Sequence, residues 1–436
     1  MSTSGALPEE RRDPHRAGRR ADDLGEIELI RRSGAVLRMG KAMLSSGTGS
    51  YRVKSAMQQV ARAFGLDRHE AHVTLTEITT TSHRGSVFRT EVAEIRSIGV
   101  DAHRLGELTT MANGLRPGAT VDEVNAELDR IERIPPLHSP LANALFAAIA
   151  CGAFAFLNDG GAVEVLGAFL AAGAGQAVRR YFIHRRFNQF AVTMLAAAVA
   201  CLAYLGFVSL LGLANGGAAG HEAGFISAVL FLVPGFALVT GALDLAKLDF
   251  SAGVARTTYA LIILLSAALS VWTVSWVTGM SADPVAAPSM PLWLHIGLRL
   301  AASAAGVLGF ALMFNSTIRM ALGSAAIGMV ANVLRLQLAD TGVAMQAATI
   351  LAALVVGLLA AWVAPRLNVP RITVSVPAVV IMVPGAAVYR TVVGLNNGDV
   401  EVAVTSGVQA VFVVICIAIG LAGARVLTDR AWAYER

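Results

Sequence analysis

Charge is what this 436-residue chain has least of: 15% of its residues are charged, against roughly 25% in a typical soluble domain. The shortage is local. Residues 1–139 carry 39 of the 65 charged side chains, and the remaining 297 residues carry 26. That split excludes a single soluble globular protein. A hydrophobic fraction of 55% and a mean hydropathy of +0.61 exclude a disordered chain. There are three cysteines, Cys151, Cys201 and Cys416, each inside an apolar run. They read as small buried hydrophobes, which excludes a disulfide scaffold. The start, MSTSGALPEERRDPHRAGRR, has no apolar core, so no cleavable signal peptide is expected.

Signature motifs of soluble enzymes are missing too. There is no HExxH, no G-x-S-x-G and no GK[ST] after the Gly/Ser-rich segment Ser45–Ser50. His69, His72, His83 and His103 have no ligand spacing, so neither metal nor cofactor is expected. The net charge of +5 needs no nucleic-acid partner, because cytoplasmic loops of membrane proteins collect Lys and Arg.

What is present divides the chain into five parts. Residues 1–24 form a basic tail expected to be disordered. Residues 25–139 form a small cytoplasmic α+β domain. Its helices are predicted at 25–46, 51–64 (capped by Ser50), 101–113 and 120–133, and its strands at 72–80 and 86–98. Ten apolar stretches follow, at about 140–157, 161–178, 190–213, 223–243, 253–278, 293–314, 318–336, 342–364, 373–393 and 401–424. They make two five-span units, 140–278 and 279–424, before a cytoplasmic tail at 425–436. With the N-terminal part inside, twelve Lys/Arg of the spans and loops fall inside and three (Arg299, Arg335, Arg390) outside. Both termini are thus expected in the cytoplasm of a plasma- or inner-membrane protein. The loops 214–221 and 279–291 carry no Lys or Arg, as expected outside.

The two units look alike. Val233-Pro234-Gly235 recurs as Val383-Pro384-Gly385, and Asp249 falls on Asp399 at the same offset. Residues 166–182 align with 322–338, which sets Arg179 on Arg335. Five spans per unit is an odd number, so the units would lie inverted in the bilayer, as in many secondary transporters. The predicted fold is an α-helical polytopic membrane protein: ten transmembrane helices as two inverted repeats, behind a small α+β domain.

Proline inside a membrane helix removes a hydrogen bond. Pro234 is expected to free the carbonyl of Leu230, Pro384 that of Val380 and Pro377 that of Thr373. Gly235 and Gly385 permit a turn or close packing. Such breaks point to a substrate path; the plainer reading is a kink used for packing. Ionisable groups in or near spans are costly and usually functional. The candidates are Glu164, with Asn158 and Asp159 in the turn before it, and Asp244 at the inner end of the fourth span. For Glu164 the plainer reading is an interfacial side chain reaching water. Asp249 and Asp399 read as helix N-caps, Arg256 as an inner-face anchor and Asn315 as a weaker candidate.

Several segments together resemble the threonine/serine exporter family. They are SSGTGSYRVKSAMQQVARAFGL, RTEVAEI, the NDGG turn, FLVPGFALVTGALDLAKLDFSAGVAR and IMVPGAAVYRTVVGLNNGD. The resemblance spans roughly residues 25–424 and puts Pro234, Gly235, Asp244, Asp249, Arg256, Pro384, Gly385 and Asp399 on family motif positions. It implies a carrier, not an enzyme, that exports threonine and serine on the proton-motive force. Its partners would be small amino acids, protons and the lipid bilayer; self-association into a homo-oligomer is left open. Two alternatives stand beside it: a membrane-bound hydrolase acting through the N-terminal domain, and a channel or sensor regulated by that domain. Thr240, Ser227, Thr373 and Ser375 lie near the breaks as partners for a substrate hydroxyl.

Overall fold

The computed structural model describes residues 14–95, 98–212, 222–278 and 290–433. The predicted outer loops at 214–221 and 279–291 fall almost wholly outside those residues.

The N-terminal domain begins with α1 (Pro14–Ser45) and α2 (Ser50–Ala63). Helix α1 starts upstream of the predicted 25: residues 14–24, expected to be disordered, continue it as helix. That segment is rich in Arg and Ala and has no proline after Pro14. A three-stranded antiparallel sheet follows, in the order β1 (Arg68–Val73), β2 (Glu77–Arg84), β3 (Val87–Glu94). The single strand predicted at 72–80 is in fact two. Thr74 N–H bonds the Glu77 carbonyl at 2.9 Å and turns the chain without glycine or proline. Ile78, Thr80 and Ser82 alternate inward along β2 and are buried. Gly40 in α1 lets α2 approach: a Cβ there would sit 2.5 Å from the Met57 sulfur. Helices α3 (Ala102–Gly114) and α4 (Val121–Glu132) complete the domain. Asp101 caps α3 through Arg104 N, and Thr120 with Glu123 forms a capping box on α4.

The apolar part is helical throughout. It comprises α5 (Pro140–Leu157), α6 (Ala162–His184), α7 (Gln189–Leu210), the short α8 (Glu222–Ser227), α9 (Gly235–Ala246) and α10 (Phe250–Thr278). After these come α11 (Leu292–Met313), α12 (Ile318–Asp340), α13 (Met345–Arg366), α14 (Arg371–Val380), α15 (Gly385–Asn397), α16 (Val400–Thr428) and the short α17 (Arg430–Ala433). Among the described residues, seven helices are long and apolar enough to cross a membrane, or nine if each of two bent pairs is one span. The bent pairs are Ala223–Leu232 with α9, at 64°, and α14 with Gly385–Leu395, at 45°. The chain is a multi-pass membrane protein. Helix α6, rich in Gly and Ala, is not among the seven; it packs between α5 and α7. Gly167 and Gly175 give it close contact there, since a Cβ would meet Tyr204 at 2.6 Å and Phe231 at 2.8 Å.

Turns recur along this region at a constant spacing. Residues with positive φ end the helices at Asp159, Arg186 and Gly212, and again at Asn315, Gly342 and Asn368, each 156 positions on. Leu248 and Gly398, 150 apart, do the same after α9 and α15. The polar pairs inside α6 and α12 repeat as well. Arg179 reaches the Gln176 side chain at 3.5 Å, and Arg335 reaches Asn332 at 3.0 Å.

Candidate functional site

The two proline breaks sit against each other. A Cβ on Gly235 would lie 3.0 Å from Val380, and a Cβ on Gly385 would lie 2.4 Å from Leu230 and 3.0 Å from Val233. The contact is reciprocal: each glycine faces the residue five positions before the other. Backbone angles match too, with φ −80°, ψ 55° at Pro234 and φ −84°, ψ 58° at Pro384. The carbonyls expected to be free are in use. Leu230 O accepts from Val233 N and Val380 O from Val383 N, both at 3.1 Å. A tighter three-residue turn recovers the bond that proline removes. The Thr373 carbonyl, opposite Pro377, faces the Ser324 hydroxyl at 3.4 Å. The space beside the breaks is apolar, lined by Ile226, Leu230, Val233, Leu264, Val388 and Tyr389 among others. Of the hydroxyls considered near it, Thr240 donates to Phe236 O and Thr373 to Pro370 O, each at 2.8 Å. Ser227 accepts from Asn158 at 3.2 Å.

A polar cluster lies where the N-terminal domain meets the spans. Asp244, in the last turn of α9, is 2% exposed and Arg256, in α10, is 3% exposed. They form an ion pair at 3.2 Å. Arg256 also donates to the Thr48 carbonyl at 2.6 Å. Asp244 accepts the Ser50 amide at 3.2 Å, so a carboxylate from the spans satisfies the first turn of α2. Gly49, not Ser50, occupies the cap position of that helix. The Ser50 hydroxyl instead donates to Asp249, which also takes Lys54 Nζ at 2.6 Å. Gly49 is required there: a Cβ would sit 2.7 Å from Asp244 Oδ1. The Gly/Ser-rich turn, which is followed by no GK[ST], is therefore a docking plug. Arg256 is more than an inner-face anchor, since it joins the plug to Asp244.

Asn315 is the second docking point. It lies in the α11–α12 turn with φ 59°, donates to Asp101 at 2.8 Å and accepts Leu137 N at 2.8 Å. Beside it Ala102 N bonds the Phe314 carbonyl at 3.0 Å.

The remaining predicted residues are apart from this cluster. Glu164, in the first turn of α6, is 6% exposed and folds back over Gly160 and Gly161, so it is not a side chain in water. Asn158 ends α5 and ties it to α8 through Ser227. Asp159 is half-buried in the same turn with φ 67°. Asp399 caps α16 through Val402 N at 3.1 Å and is exposed. In the soluble domain, His69 bonds Ser82 at 3.0 Å, and burial pulls its imidazole down to about 4.

Sequence reasoning missed a group of arginines next to Asp244. Arg52 from α2 and Arg425 from α16 line one narrow cavity with Tyr51, Thr240, Asp244 and Trp432. Arg371, at the start of α14, adds its positive charge to theirs. Burial pulls the Arg52 guanidinium down to about 10, so it stays charged at neutral pH. Their separation along the chain left no local signal; only the shared sign of charge at span ends hinted at it.

Known proteins match along nearly the whole of this architecture. Residues 35–277 match the family model described as "Putative threonine/serine exporter", and residues 299–427 the model "Threonine/Serine exporter, ThrE". The chain is 26% identical over 420 residues to a "Probable threonine/serine exporter" of Mycobacterium tuberculosis, covering 89% of this chain and 75% of that protein. It is 25% identical over 251 residues to a "Probable succinate transporter subunit YjjP" of Escherichia coli, covering 54% of this chain and 93% of that one. A "Threonine/serine exporter" of Corynebacterium glutamicum is 30% identical over 139 residues, 31% of this chain and 28% of that protein. No solved structure matches.

Proposed function

Since the chain belongs to the threonine/serine exporter family, we propose that it exports threonine and serine from the cytoplasm, driven by the proton-motive force. It is a membrane transporter; substrate and driving force are our reading. The observation that carries this reading is the reciprocal contact of the two broken helices, Gly235 on Val380 and Gly385 on Leu230. Two breaks that pack on each other form a joint about which two units can rock.

The recurring turns and the alternation of helices support ten spans in two inverted units, residues 140–278 and 279–424, with both termini cytoplasmic. Helix α6 then crosses the bilayer shielded by its neighbours. The N-terminal domain, residues 25–139, covers the cytoplasmic end through Asp244, Asp249, Arg256 and Asn315. The path runs from Asp244 past Pro234, Gly235, Pro384 and Gly385 towards Asn158, Asp159 and Glu164. Asp249, Arg256 and Asp399 hold its ends.

The test is efflux of labelled threonine and serine from cells preloaded with dipeptides, with and without a protonophore. Faster efflux in expressing cells, abolished by the protonophore, is expected. Efflux that only follows the concentration gradient would overturn the proton coupling and favour a channel. Movement of labelled succinate in place of threonine would overturn the substrate.

A further inference from the structure

The narrow cavity between the N-terminal domain and the spans has both cationic donors and acceptors in its lining. Arg52 and Arg425 line it with Trp432. The Trp432 indole N–H is buried with no acceptor among the described residues. Buried donors nearly always have partners, and an anionic or carbonyl oxygen is what this indole N–H can take. Three guanidiniums, Arg52, Arg371 and Arg425, act on one another here, with Asp429 as the nearby carboxylate. Asp244 and Thr240 line the same cavity. Thr240 uses its proton on Phe236 O, which leaves oxygen lone pairs as acceptors. Gly49 and the Ser50 amide pack against Asp244, the amide donating to it.

We propose that this cavity is the cytoplasmic recognition site for the amino-acid zwitterion, with Arg52, Arg425 and the Trp432 indole taking the carboxylate and Asp244 the ammonium. The inference rests on the transport reading above and adds that the N-terminal domain supplies part of the site. Bidentate guanidinium groups suit a carboxylate. The Ser50 amide holds the place of the ammonium while the plug is seated. Binding then requires the Gly49–Ser50 turn to withdraw, which couples substrate entry to movement of the domain.

The experiment uses the full chain in nanodiscs of neutral lipid and measures binding of labelled threonine. The competitors are threoninamide, which lacks the carboxylate, and succinate, which lacks the ammonium. Arg52→Gln should weaken threonine binding at least ten-fold, and Arg52→Lys should retain part of it. Threoninamide should not compete, and succinate should compete at least ten-fold more weakly than threonine. Arg425→Gln, checked for an unchanged melting temperature, should repeat the Arg52→Gln loss.

Threonine binding and efflux by the wild type, with unchanged affinity in Arg52→Gln and Arg425→Gln, overturns the site and leaves the transport reading standing. Absence of both binding and efflux in the wild type overturns the transport reading itself. Succinate that competes as well as threonine removes the Asp244 end. Repeating the assay in phosphatidylglycerol nanodiscs separates a lipid source. If Arg52→Gln changes only the retention of that lipid, the arginines hold a headgroup and the proposal fails.

Discussion

Helices α9–α10 and α15–α16 follow the same backbone course with different chemistry. Each pair begins at a Pro-Gly break, turns through a residue with positive φ and continues into a 29-residue helix. In the first pair the turn region carries Asp244, Asp249 and Arg256, two of them buried. At the matching positions the second pair has Gly394, Asp399 and Ser406. Gly394 packs on backbone, where a Cβ would sit 2.8 Å from Ala403 N. One end is a charged socket for the N-terminal domain; the other is a bare helix turn. Duplicated backbone does not imply duplicated function, because the domain covers only one of the two ends.

The comparison breaks most forcefully at the ion pair. Arg256→Leu leaves Asp244 buried and unpaired, a loss of about 3–5 kcal/mol for such pairs. Thermal unfolding in detergent should show a large drop, while Ser406→Leu at the matching position should show a small one. Equal drops would mean that the socket is not special. The glycines come next. Gly385→Val forces branches into Leu230 and Val233 and should abolish efflux while the protein still inserts; Gly235→Ala meets Val380 at 3.0 Å and should be milder. Wild-type efflux by Gly385→Val would remove the joint from the mechanism.

Smaller effects separate the paired aspartates. Asp249→Asn should loosen Lys54 and Ser50 and speed proteolysis between α1 and α2. Asp399→Ala removes only a cap, about 1 kcal/mol, and should leave the cleavage pattern unchanged. Identical digests would contradict the unequal roles. The smallest effect is confined to the soluble domain. The His69 pKa is about 4 when folded, against an ordinary 6.5. Between those values the unfolded state binds more protons, so stability falls as pH drops from about 6.5 towards 4. His69→Gln should flatten that dependence in pH-dependent hydrogen exchange of the sheet.

Much of the fold was legible in the sequence because its signals are local. Apolar runs of about 20 residues mark helices, and Thr120-x-x-Glu123 marks a helix start. The breaks at Pro234 and Pro384 follow from a ring without an N–H. The turn at Thr74–Thr76 carries no glycine or proline, so one strand was merged with its neighbour. The site was legible only in part. Asp244 stood out as a charge at the end of a span, while Asp249 read as a helix cap and Arg256 as an anchor; nothing near them in sequence names their partners. Ser50 meets Asp244 across 194 positions and Arg256 meets Thr48 across 208.

The sequence by itself determined which segments are helices, where two of them break and which few charges enter the apolar part. Hydrophobicity, proline geometry and capping act within a turn or two of the chain. The tertiary structure alone decided that the breaks face each other, that a glycine-rich turn plugs an acidic socket and that three arginines converge. Those outcomes depend on close packing and on pairing buried charge, and both are set by segments that only folding brings together.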